Sequence, residues 1–70
     1  MTFSEILRKI RIQQSYTQEQ FARELNVSFS TINRWENGHT IPSELAKMHL
    51  LEYCKKNNVD KETMAELTKF

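Results

Sequence analysis

The sequence predicts an all-α fold of five short helices around one small core. Three observations carry that expectation. Apolar residues recur at helical spacing along most of the chain. A single Gly and a single Pro leave little room for hairpins or long loops. Ser, Thr or Asp stands ahead of each apolar run, where a helix needs an N-cap. Seventy residues suffice for one domain with one core. A composition 39% hydrophobic and 27% charged fits a soluble globular chain rather than a disordered one.

The first helix is expected over Met1 to Gln14. Phe3, Ile6, Leu7 and Ile10 recur at i, i+3, i+4 and i+7, one amphipathic stripe with Arg8 and Lys9 off it. Ser4 is the N-cap expected first, with Thr2 and Glu5 as an alternative capping box. Gln13 to Tyr16 makes a short connection, and Tyr16 is placed to staple against Phe21.

The second and third helices are the centre of the chain. Thr17 caps the second, and Gln20 three residues on completes a capping box. Phe21, Ala22 and Leu25 give it one buried face up to Leu25. Asn26 stops it, because Asn readily takes the left-handed conformation at a helix end. Ser28 caps the third helix, which runs to about Asn37 before Gly38 ends it. Ile32 and Trp35 form its inward face. Ala22 falls where the two helices cross, and its small side chain lets the backbones approach.

After His39 to Ile41, Pro42 disfavours helix at the preceding residue. Ser43 caps a fourth helix to Lys56, with Glu44 near its positive end and Lys55 and Lys56 near its negative end. Leu45, Met48 and Leu51 form one apolar stripe, widened by Leu50, Tyr53 and Cys54, which is more than one small packing face needs. A fifth helix is expected near residues 60–69, capped by Asp60, with Met64 and Leu67 on one side and Val59 and Phe70 flanking. A helix this short must pack on something: either it closes the core or it pairs two copies of the chain.

The outward face of the third helix carries the functional signal. A helix that only meets water usually shows Glu and Lys. This one shows Phe29, Ser30, Asn33, Arg34 and Asn37. Such groups read base edges in a DNA major groove: Arg for guanine, Asn for adenine, an apolar group for the thymine methyl. Phe29, Ser30, Asn33 and Arg34 are therefore the expected base contacts. Phe29 as a core residue, and Asn33 as mere solvation of its face, are the bland alternatives. Gln18 and the free N–H groups opening the second helix are expected on phosphate, with Ser28, Asn37, His39 and Thr40 beside them.

Gln18, Phe21–Ala22, Leu25, the small turn, Ile32 and Trp35-Glu36-Asn37-Gly38 together resemble the helix-turn-helix of the phage-repressor and Cro-like (Xre) family. With Arg11 and Pro42 the resemblance covers about residues 3–58. One departure is Asn26, where the family usually has Gly. The resemblance implies a lambda-repressor-like fold, sequence-specific binding to a double-stranded DNA operator as a transcriptional regulator, most often a repressor, and dimers on two-fold sites. It also implies an Arg11–Glu36 ion pair. A homodimer through the fourth and fifth helices is the expected assembly.

Net charge is only +1, so non-specific DNA affinity should be modest. The weak charge keeps open a second reading, a protein-interaction module or antitoxin-like partner that retains the fold. No enzyme signature stands out: Cys54, His39 and His49 are few and scattered, no metal-ligand spacing occurs, and one Gly cannot build a phosphate loop. No cofactor is expected. One cysteine forms no internal disulfide. Without an apolar run of membrane-spanning length or a signal peptide, no membrane association and a cytoplasmic, bacterial or phage setting are expected. Met1 opens the chain without a tag, as in a complete short protein of one domain, residues 1–70.

Overall fold

The computed structural model describes residues 2–38 and 40–70. Their helices are α1 (Phe3–Gln13), α2 (Gln18–Leu25), α3 (Phe29–Glu36), α4 (Glu44–Lys56) and α5 (Lys61–Leu67). Among the described residues the fold is all-α.

Local chemistry sets the helix starts. Thr2, not Ser4, caps α1: its side chain accepts from the Glu5 N–H while Glu5 reaches back to the Thr2 N–H. The extended Thr2 backbone permits this reciprocal pair, and Ser4 is already inside the helix. Thr17 and Gln20 make the same box at α2. Ser28, Ser43 and Asp60 cap α3, α4 and α5 through the N–H groups of Thr31, Ala46 and Thr63.

The ends follow a shared device. Asn26 sits at φ 58°, ψ 43°, in the left-handed region. Its N–H donates to Arg23 O at 3.2 Å and the Val27 N–H to Ala22 O at 2.9 Å, satisfying carbonyls at the end of α2. Ser15 at φ 60° does the same after α1, and after α4 Asn58 at φ 58° brings the Val59 N–H to Cys54 O at 3.0 Å. Gly38 at φ 76° follows α3. Asn37 is the cap of α3 rather than part of it, and α1 likewise stops at Gln13.

α2 packs on α3, α1 on α3 and α5, and α4 on α2 and α5. Ile6, Leu7, Ile10, Phe21, Ile32, Leu50, Cys54 and Leu67 are fully enclosed. Edge-on aromatic pairs tie the layers: Phe3 with Trp35 at 6.0 Å and Phe21 with Tyr53 at 5.6 Å. Tyr16 stacks on Phe21 at 6.2 Å, the staple expected ahead of α2.

Two points that the sequence left open are decided by packing. α4 turns Leu50, Tyr53 and Cys54 inward, because Tyr53 must meet Phe21. That rotation leaves Leu45 and Met48 63% and 55% exposed, beside Ile41 at 73%. Leu45 and Met48 are thus the surplus beyond one packing face that the sequence showed. α5 is shorter than residues 60–69, and it closes the core: Leu67 and Thr63 are buried, and Phe70 lies edge-on to Phe3.

Candidate nucleic-acid interface

α3 is anchored from behind. Ile32 and Trp35 are buried, and so is Glu36, whose side chain is fully enclosed. An enclosed carboxylate needs partners, and it has several. Arg11 Nε donates to one oxygen at 2.8 Å and Nη2 to the other at 3.1 Å, the bidentate geometry that guanidinium favours. Arg11 Nη1 donates to Tyr16 O at 3.0 Å, which fixes the α1–α2 connection to the same hub. Gln18 Nε2 donates to Glu36 Oε1 at 3.2 Å. Arg8, half exposed, donates to the Glu36 carbonyl at 3.1 Å. The expected Arg11–Glu36 pair is present, and Gln18 and Arg8 join it.

The Gln18 side chain is therefore turned inward. Its Oε1 accepts from Asn33 Nδ2 at 3.3 Å, and Asn33 Oδ1 accepts from Asn37 Nδ2 at 3.0 Å. A chain of amides runs from the buried carboxylate to the surface of α3. The backbone N–H groups of Gln18 and Glu19 stay clear of it, since the Thr17 hydroxyl takes only the Gln20 N–H. At 100° per residue, Phe29, Asn33, Asn37, Ser30 and Arg34 follow one another across about 140° of the α3 surface.

Of the expected base-contacting residues, Phe29, Ser30 and Arg34 are exposed, and Asn33 is half-buried in the amide chain. Arg34 makes no hydrogen bond or ion pair to a described residue. Phe29 is 52% exposed and not part of the core. Of those expected on phosphate, Asn37 and Ser28 are exposed and Thr40 is half-buried. The Ser28 hydroxyl is shared between the Thr31 N–H and the Thr31 hydroxyl. His39 lies outside the described residues.

Sequence reasoning gave Arg8 no role. Its one signal was the three-residue spacing from Arg11, which aims both guanidinium groups along one side of α1 at Glu36.

A family model described as helix-turn-helix matches residues 7–46, more than half of the chain. The match runs from the middle of α1 through α2, the turn and α3 into the start of α4. The chain belongs to this family, the Cro-like (Xre) helix-turn-helix family of DNA-binding transcription regulators. No curated protein and no solved structure matches the chain. No helix among the described residues is long and apolar enough to cross a membrane.

Proposed function

We propose that the protein binds a specific double-stranded DNA operator and represses transcription from it. α3 lies in the major groove and α2 rests across the backbone. Arg34, Ser30 and Phe29 face base edges, with Asn33 beside them. The N–H groups of Gln18 and Glu19 meet a phosphate at the start of α2, and Ser28, Asn37 and Thr40 lie along the same strand. The observation that carries this reading is the Arg34 guanidinium, unpaired with any described residue on a helix locked from behind by Ile32, Trp35 and the enclosed Glu36.

Two copies pair through the exposed row Ile41, Leu45 and Met48, placing two α3 helices about one DNA turn, roughly 34 Å, apart. Leu45→Glu should then give monomers in sedimentation and cost most of the affinity for a two-fold site.

Selection of duplexes from a random pool tests the function. A two-fold consensus should emerge, bound less tightly as salt rises. Arg34→Ala should erase preference at one or two base pairs per half-site, a loss of about 1–3 kcal/mol of discrimination. An unenriched pool would reject DNA reading altogether. It would favour the other use of the α4 row, docking a protein partner as an antitoxin-like chain does.

A further inference from the structure

We infer that Phe29 is the residue that tells thymine from cytosine in the operator, by covering the C5 methyl group. The inference rests on the proposed binding of DNA by α3 and names one of the groups it reads.

Phe29 is the first residue of α3 and 52% exposed, whereas Ile32 and Trp35 are 0% and 6% exposed. A phenyl ring left in water at the leading end of a groove-facing helix has no folding role that explains its exposure. It offers no donor or acceptor, so it cannot read a base by hydrogen bonds. The major groove presents one apolar group, the thymine methyl, and cytosine lacks it.

The neighbouring side chains sharpen the assignment. Asn33, the residue type suited to adenine, has its Nδ2 on Gln18 and its Oδ1 on Asn37. Ser30 shares its hydroxyl with Ser28 at 3.3 Å. That leaves Phe29 and Arg34 as the side chains of this face without an internal polar tie. They stand five residues apart, about 7.5 Å along the helix axis and about 140° around it. The expected half-site holds a thymine and a guanine at different base pairs.

The test uses the full chain and the best duplex from a random selection, with each thymine in turn replaced by deoxyuridine. That exchange removes the methyl group and leaves base pairing alone. One position per half-site should weaken binding about fourfold, the value of one buried methyl-sized group. Phe29→Ala should lose the same factor on the thymine duplex and become indifferent to uracil. Phe29→Leu, which keeps an apolar tip, should retain part of the difference. Two results overturn the inference: uracil tolerated within twofold at every thymine, or Phe29→Ala still sensitive to it. A loss in Phe29→Ala where the unsubstituted protein is itself insensitive to uracil would mark the ring as a wedge between bases and overturns it too. A selection that returns no preferred duplex defeats the DNA reading and this inference together. A preferred duplex indifferent to methyl groups defeats only the inference.

Discussion

Replacing Arg11 by Met should nearly unfold the protein, while replacing Arg11 and Glu36 together should not. Arg11 is 18% exposed at its side chain and Glu36 is 0% exposed. Arg11→Met keeps most of the stem but removes both hydrogen bonds to the carboxylate and the one to Tyr16 O. Glu36 is then left with the Gln18 amide and with Arg8, whose Nε stands 3.6 Å away and whose side chain is half exposed. Stripping one partner from an enclosed pair costs about 3–5 kcal/mol. A chain of 70 residues has about 4–10 kcal/mol in all. Arg8→Ala, a water-screened contact, should cost under about 1 kcal/mol. The double variant Arg11→Met/Glu36→Leu has no buried charge to strand, so it should recover most of the loss. Urea denaturation followed by circular dichroism gives the free energies of the unsubstituted protein, Arg11→Met, Glu36→Leu and the double variant, which close the cycle. A loss below about 1 kcal/mol in Arg11→Met, or strict additivity in the double variant, would refute the view that Glu36 depends on Arg11.

Four further outcomes follow from single contacts. Asn26→Ala should cost about 1–2 kcal/mol, because Ala pays the left-handed penalty that Asn and Gly tolerate, and Asn26→Gly should be near neutral in the same denaturation assay. Gln18→Ala keeps the backbone N–H groups that meet a phosphate but frees Asn33, so in binding titrations it should relax preference at the base pair beside Asn33 more than it weakens binding to all duplexes, and it should lower stability by about 1 kcal/mol because it strands Asn33 and one bond of Glu36. Tyr53→Phe should leave stability unchanged or slightly raised in thermal melts, since the buried Tyr53 hydroxyl has no hydrogen-bond partner among the described residues. Acid should unfold the protein partly through its caps: hydrogen bonds from Thr2 and Thr63 hold the Glu5 and Asp60 carboxyls below their ordinary values of 4.5 and 3.8. Folded values below unfolded ones mean stability that is full above those ordinary values and lost as pH falls through the lowered ones, so Asp60→Asn should flatten stability against pH below about 4.

What the sequence showed best was what local chemistry decides. The reciprocal pair of Thr17 and Gln20, and the single caps Ser28, Ser43 and Asp60, act within three residues, and all sit where the residue types placed them. Asn26 was equally readable, because few other residues enter the left-handed region easily. Ser15 does the same work with no such preference, and nothing in its type announced it. α4 was ambiguous for a different reason. Its two apolar rows, Leu45–Met48 and Leu50–Tyr53–Cys54, are both helical in period, and only the position of Phe21 decides which turns inward.

The recognition face was readable in its residue types but not in its internal ties. Gln18 and Asn33 are fifteen residues apart, and neither amide reveals that the other will stand beside it. Their bond changes what the face can do. Asn33 held between Gln18 and Asn37 has little rotamer freedom left to lose on docking, so its share of the ordering cost of association is already met in the free protein. It also hands orientation of the α3 surface to Glu36, and through Glu36 to Arg11 on α1. A substitution at Arg11, remote from the exposed face, should therefore disturb base preference as well as stability, because the amide chain that aligns Asn33 ends on the carboxylate that Arg11 holds.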